Sequence, residues 1–259
     1  MKIHFSKYQG TGNDFVMLDN LSGEYNNLSI GQIQAICNRR FGIGADGLIK
    51  INASMNFAFE MDYYNADGSK SFCGNGARCA VEFATTLGIN TENVSFEAID
   101  GEHFATRSYQ EIRVKMKDVS LIESDGDAFV VQTGSPHYVQ FQSSQAITNI
   151  VEFGKKIRYS EKYKLEGINV NLVQALAEDS ITIETYERGV EDETLSCGTG
   201  ATACALVLDY LANKELSRVN VKVKGGDLAV EFKRIGVGCY EEIFLIGPAK
   251  FVFSGTIDV

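Results

Sequence analysis

One short motif occurs twice in this chain of 259 residues, and that duplication limits what the chain can fold into. Cys73-Gly74-Asn75-Gly76-Ala77-Arg78-Cys79-Ala80 returns as Cys197-Gly198-Thr199-Gly200-Ala201-Thr202-Ala203-Cys204-Ala205, an offset of 124 residues, close to half the chain. Other landmarks keep step. Gln9-Gly10-Thr11-Gly12-Asn13-Asp14 lies 61 residues before the first cysteine, counted from Gly12, and Gln132-Thr133-Gly134-Ser135-Pro136-His137 lies 63 before the second, counted from Gly134. An apolar stretch ending in a polar turn precedes each cysteine, Phe59 to Gly68 and Ile181 to Gly189. A repeat of this length is the signature of a duplicated domain, and two copies point to a pseudo-two-fold arrangement.

Hydrophobic patterning assigns similar elements to both halves. Ser29 to Arg40 has helical spacing with Ser29 as N-cap. Leu48–Ile51, Asn56–Tyr64, Val94–Ala98 and Ile112–Met116 read as strands. Ala77 to Leu87 reads as a buried helix stopped by Gly88. In the second half, Phe129–Thr133, Tyr138–Gln142, Ile181–Tyr186, Val219–Val223, Leu228–Lys233 and Glu241–Ile246 read as strands. Ala201 to Ala212 is apolar on most faces and so belongs in the middle of its domain. The expected fold is α/β (α+β), with two pseudosymmetric duplicated domains, each a curved, mostly antiparallel sheet around a central helix. An active site is expected in the cleft between them. The expected division is residues 1–118 and 119–248, with a last strand at 249–259 rejoining the first domain.

Charge and cysteine content narrow the function classes. The formal net charge is −10, so a nucleic-acid backbone would meet repulsion. The opening residues, Met1 to Tyr8, hold no sustained apolar stretch, and the longest apolar run, Ala203 to Leu208, is too short to span a bilayer. A cytoplasmic protein without a membrane partner is expected. Six cysteines are then reduced thiols, and no Cys-x-x-Cys pair or His-x-x-x-His spacing supports a metal site.

Each Cys-Gly-x-Gly-Ala unit follows a strand and turn and opens a helix. Small residues let the backbone approach a ligand closely. The unpaired N–H groups of a first helical turn favour negative charge, and they also favour thiolate over thiol. One such cysteine suggests a nucleophile. Two, in duplicated halves, suggest a sulfur on each wall of one cleft, the geometry racemisation needs: a base removes a hydrogen while an acid on the opposite face delivers another. For Cys37, Cys79, Cys204 and Cys239 packing is the better reading, since a buried thiol behaves as a small hydrophobe.

Gly12-Asn13-Asp14-Phe15, Asn65-Ala66-Asp67-Gly68, Cys73-Gly74-Asn75-Gly76-Ala77-Arg78, Glu187-Arg188-Gly189 and Cys197-Gly198-Thr199-Gly200, in that order along nearly the whole chain, resemble the diaminopimelate epimerases. The resemblance implies an isomerase that needs neither pyridoxal phosphate nor metal, inverting LL-2,6-diaminopimelate to the meso form. That step feeds lysine and peptidoglycan-precursor synthesis, and the family commonly forms homodimers. It implies Cys73 and Cys197 as the acid/base pair. Gly74, Asn75, Gly198 and Thr199 stand at helix starts that hold the reacting carboxylate, and Asn13, Asn65, Asn169, Glu187 and Arg188 bind substrate, several at its far end. There Glu187 suits an ammonium and Arg188 a carboxylate. His137 matches a histidine that tunes the site or forms a polar wall.

Two departures stand at substrate-contact positions. Ser135 replaces a common Asn, and Gly47 replaces a common Gln. Gly42-Ile43-Gly44-Ala45-Asp46-Gly47 also satisfies the dinucleotide pattern Gly-x-Gly-x-x-Gly, but a helix precedes it and a strand follows, the reverse of that motif's context. The rival readings are a two-cysteine racemase of proline or hydroxyproline, which resembles this chain around Cys197 but not at Gly74–Gly76 or Glu187–Arg188, and a non-catalytic small-molecule binder on the same fold.

Overall fold

The computed structural model describes residues 1–108, 111–143, 149–212 and 215–259. The chain forms two compact units, Met1–Val114 with Gly247–Val259, and Lys115–Ile246.

Unit 1 contains β1 (Lys2–Gly10), β2 (Asn13–Asn20), α1 (Ile30–Cys37), β3 (Gly47–Asn52), β4 (Glu60–Asn65), α2 (Gly74–Thr86), β5 (Asn93–Ala98), β6 (Gly101–Arg107) and β7 (Ile112–Lys115, whose last residue opens unit 2). Unit 2 contains β8 (Ile122–Asp125), β9 (Ala128–Gln132), β10 (Pro136–Phe141), α3 (Ile150–Arg158), β11 (Asn169–Ala177), β12 (Ser180–Glu187), β13 (Asp192–Thr194), α4 (Gly198–Ala212), β14 (Arg218–Val223), β15 (Gly226–Gly236) and β16 (Cys239–Gly247, whose last residue belongs to unit 1). The final strand, β17 (Lys250–Asp258), lies in unit 1.

Strand pairing makes the duplication explicit. In unit 1 the ladder runs β17-β1-β2-β3-β4-β5-β6-β7, parallel only at β2–β3 and β4–β5. In unit 2 it runs β8-β9-β10-β11-β12-β14-β15-β16, parallel only at β10–β11 and β12–β14, with β13 added as a hairpin on β12. A helix spans each parallel step, as parallel neighbours require: α1 and α2 in unit 1, α3 and α4 in unit 2. The C-terminal strand β17 thus fills in unit 1 the place of β8 in unit 2.

Each core is built on its second helix. Ala77, Cys79, Ala80, Val81, Phe83 and Ala84 of α2 pack among Phe15, Met17, Ile49, Met61 and Phe96 from the strands. Ala201 and the run Ala203 to Leu208 of α4 pack among Val139, Val173, Ile183, Val221 and Leu245. Small residues on these helices let strands approach closely on several sides. Removing that much apolar surface from water, at about 25 cal/mol per Å², is what holds each helix in place.

Some elements depart from the periodicity reading. In place of the expected strand Asn56–Tyr64 the strand runs Glu60–Asn65, because the Ser54 hydroxyl accepts from the Asn56 and Phe57 N–H groups and holds a turn. Helix α1 stops at Cys37 rather than Arg40, since Asn38 Oδ1 accepts from the Arg40 and Phe41 N–H groups. Helices α2 and α4 begin at Gly74 and Gly198, three residues earlier than expected.

Candidate active site

The earlier helix starts matter because they put both cysteines at N-cap positions. The Cys73 carbonyl accepts from Ala77 N–H at 2.8 Å, and the Cys197 carbonyl accepts from Ala201 N–H at 2.9 Å. Cys73 Sγ lies 3.5 Å from the Gly76 N–H, which donates to it as to a capping oxygen. Each sulfur therefore stands at the positive end of a buried helix.

In unit 1, Asn13, Asn75 and Cys73 converge. Asn13 Oδ1 lies 3.5 Å from Cys73 Sγ and accepts from Asn75 Nδ2 at 3.3 Å. Asn13 Nδ2 donates to Asp46 Oδ2 at 2.6 Å, which fixes the amide with its oxygen toward the sulfur. Asp46 comes from the Gly42–Gly47 loop, which connects α1 to β3. Its partners are Arg39 at 2.6 Å and the Asp14 N–H at 3.2 Å. Asp14 in turn pairs with Arg39 at 2.6 Å and Lys7 at 2.7 Å. Burial alone raises the Asp14 pKa, but hydrogen bonds from Arg39 and Lys7 prevail and hold it at about 2.

Asn65 ends β4 opposite Gly47 in the ladder. Tyr63 donates to Asn65 Oδ1 at 2.7 Å, while Asn65 Nδ2 donates to the Ser69 and Ser71 hydroxyls at 3.0 and 3.2 Å. Tyr63 also accounts for Gly47. A Cβ there would meet Tyr63 Cε2 at 2.4 Å and the Tyr64 carbonyl at 2.5 Å, so no Gln fits.

In unit 2, Cys197, Thr199, Ser135, His137, Asn169 and Arg188 are linked. Thr199 Oγ1 lies 3.5 Å from Cys197 Sγ, 2.8 Å from His137 Nε2 and 3.2 Å from Ser135 Oγ. His137 is fully buried. Burial first, and the Arg188 charge second, lower its pKa to about 3, so the ring is neutral at pH 7. Asn171 fixes the tautomer. Its Nδ2 donates to the Tyr138 carbonyl at 3.0 Å and its Oδ1 accepts from Thr185 at 2.9 Å, which leaves Nδ2 facing His137 Nδ1 at 3.2 Å. Nδ1 is therefore the acceptor, and Nε2–H donates toward the Thr199 and Ser135 hydroxyls.

Ser135 Oγ also accepts from Asn169 Nδ2 at 3.1 Å, so its short side chain joins the cluster directly. Asn169 Oδ1 accepts from the Arg188 N–H at 2.9 Å, holding the turn after Glu187. The exposed Arg188 guanidinium donates to the Glu166 carbonyl at 2.8 Å, and half-buried Glu187 ends β12. Asn171, Thr185, Tyr63 and Asp46 escaped sequence reasoning as partners of the site. Buried Asn and Thr at inward strand positions were the available signal.

The other cysteines differ. Burial pushes the Cys37 thiol up to about 12 and raises those of Cys79 and Cys204 as well. They are inert at neutral pH. Among the described residues no group of three His, Cys, Asp or Glu side chains is placed to hold a metal ion. No helix among them is long and apolar enough to cross a membrane.

The diaminopimelate epimerase family model matches residues 5–122 and 129–252. This chain belongs to the diaminopimelate epimerase family. A diaminopimelate epimerase of Flavobacterium psychrophilum is 45% identical over 99% of this chain and 100% of its own length. One of Chlorobaculum tepidum is 41% identical over 96% and 99%. The fold is shared more widely. A phenazine biosynthesis protein of the PhzF family from Bacillus anthracis superposes with a TM-score of 0.80 at 11% identity, covering 100% of both chains.

Proposed function

We propose that this protein is a diaminopimelate epimerase, converting LL-2,6-diaminopimelate to the meso isomer without pyridoxal phosphate or metal. The observation that carries the reading is the pair of cysteines capping equivalent helices in the two units of a chain in this family. One sulfur, as thiolate, removes the α-hydrogen. The other, as thiol, protonates the opposite face of the same carbon. Helix N-termini at Gly74, Asn75, Gly198 and Thr199 hold the α-carboxylate and stabilise the charge that builds as the hydrogen leaves. Asn13, Asn65, Asn169, Glu187 and Arg188 bind the substrate, with Glu187 for the distal ammonium and Arg188 for the distal carboxylate. Ser135 and Gly47 shape that far end, and His137 sets the Thr199 hydroxyl against Cys197.

The protein works in the cytoplasm, in lysine and peptidoglycan-precursor synthesis, as a homodimer. Self-association is favoured by the exposed Phe251, Val252 and Phe253 of β17, an apolar patch along a strand paired with β1. Family membership counts against the proline and hydroxyproline reading, and two retained N-cap cysteines count against a non-catalytic binder. The test is an epimerisation assay with LL-diaminopimelate, L-proline and trans-4-hydroxyproline. Turnover of the first alone is expected, and inversion of a proline substrate without diaminopimelate turnover would overturn the assignment.

A further inference from the structure

The motif copies differ in charge at the fifth residue after the cysteine, Arg78 in unit 1 and Thr202 in unit 2. Both side chains are fully buried. Thr202 is satisfied within its own helix, donating to the Gly198 carbonyl at 3.0 Å. Arg78 has a different environment. Its Nη2 donates to Asn75 Oδ1 at 2.9 Å and Thr11 Oγ1 at 3.2 Å, and its Nε donates to the Pro248 carbonyl at 3.3 Å. All three acceptors are neutral. Nη1 has no hydrogen-bond partner, and no carboxylate among the described residues pairs with the guanidinium.

A guanidinium remains charged at neutral pH even when buried. Buried without a counter-ion it is strongly destabilising, so a fold retains one where an anion offsets it. The surrounding charges do not supply that anion. Asp14 and Asp46 are taken up by Lys7 and Arg39, Asp100 by His103 on β6, and Glu82 by Arg107. Cys79 is shut away from water, and its thiol is pushed far up. Cys73 remains, half-exposed at the helix start. Arg78 reaches it through a fixed chain: Arg78 Nη2 orients Asn75, Asn75 Nδ2 holds Asn13 Oδ1, and that oxygen stands 3.5 Å from the sulfur.

We infer that Arg78 is the counter-ion of the Cys73 thiolate, a positioning residue that makes one cysteine of the pair the stronger acid. The weak S–H···O contact with Asn13 favours the thiol, but a net charge in a low-dielectric interior outweighs one long neutral hydrogen bond. Cys197 has no such cation at the equivalent position. The equivalent position holds the neutral Thr202, the His137 imidazole beside Thr199 is neutral, and the Arg188 cation, whose charge reaches His137, is exposed and screened by water. The inference rests on the two-cysteine reading above, and it assigns the resting proton: the ligand-free protein holds its proton on Cys197 and its negative charge on Cys73.

The experiment is alkylation of the intact protein by iodoacetamide as a function of pH, quantified at each cysteine by mass spectrometry. Access changes the rate at each sulfur but not its pH midpoint. Cys73 is expected to titrate about one pH unit or more below Cys197. Arg78→Met should raise the Cys73 midpoint by a similar amount and leave that of Cys197 in place, while Arg78→Lys keeps it near wild type. Equal midpoints in the wild-type protein would overturn the inference, whether or not the Met variant folds. So would an unmoved Cys73 midpoint in a folded Arg78→Met protein. Alkylation needs no substrate, so a failed epimerisation assay and a failed midpoint test are separate results.

Discussion

Around Cys73 the polar groups carry charge, and their hydrogen-bond chain runs from Asn13 through Asp46 to Arg39, Asp14 and Lys7. Around Cys197 the chain runs through neutral groups, from Thr199 through His137 and Asn171 to Thr185, and the linked Arg188 guanidinium is exposed. The backbone is the same in both places: a strand, a turn, an N-cap cysteine and a small-residue helix. The contrast shows which part of a duplicated site tolerates divergence. Helix-start geometry is common to both halves because each needs an N-terminus beside a sulfur. The supporting side chains are free to differ, and under the proposed two-base mechanism an acid/base pair benefits when they do, since one sulfur would begin protonated and the other not.

The largest expected effect is symmetric. Cys73→Ala and Cys197→Ala should each reduce epimerisation by at least about a hundredfold, since each removes one proton carrier. Circular dichroism should show the fold intact. More than a few per cent of wild-type activity in either variant would break the equivalence of the two halves. Next comes Arg188→Lys, which keeps the charge but loses the planar fork. A loss of roughly tenfold in kcat/KM for diaminopimelate is expected, from one charge-assisted bidentate contact. Near-normal kinetics would remove the distal carboxylate from the account.

Acid should distinguish the halves. His137 has a folded pKa near 3, below its ordinary value of 6.5, so the unfolded chain takes up a proton that the folded one refuses. Its contribution is complete above about pH 6.5 and declines by up to about 1.4 kcal/mol per pH unit as pH falls toward 3. Asp14, held near 2 rather than 3.8, acts only below about pH 4, where its ion pairs are lost. Hydrogen exchange followed by peptide between pH 7 and 4.5 should therefore show α4 and β10 losing protection before α2 and β2. His137→Gln should flatten that dependence, and simultaneous loss in both units of the wild type would contradict it. The smallest effects belong to Cys79→Ala and Cys204→Ala. Each should keep its turnover and lose on the order of 1 kcal/mol in a denaturant titration.

The sequence revealed the site's outline better than its support. Two Cys-Gly-x-Gly units were legible because the motif is local and repeated. Helix α3 was not, because Gly154 weakens helical propensity. It is there because a Cβ would meet Tyr186 at 2.4 Å, a contact between residues distant in sequence. Strand β11 went unread although Asn169-Val170-Asn171-Leu172 alternates polar and apolar, and its polar face is buried because the amides of Asn169 and Asn171 are hydrogen-bonded within the site. Ser135 and Gly47 stood out as departures, but their compensations by Asn169 and by the Tyr63 ring depend on strand register. Arg78 was visible in the motif, and its lack of a counter-ion became readable only from burial.

The central claim is that two sulfurs act on opposite faces of one carbon, and solvent isotope tests it most directly. LL-diaminopimelate is incubated with the protein in D₂O and sampled early. Thiol hydrogens exchange with solvent, so the acid on the far face begins as S–D. One sulfur removes protium and the other delivers deuterium. The account predicts meso product carrying deuterium at the inverted carbon, while unreacted LL substrate stays largely protiated. Substantial protium at that carbon in early meso product would mean that a single base shuttled the same hydrogen across, and would contradict the account even if both cysteines proved essential.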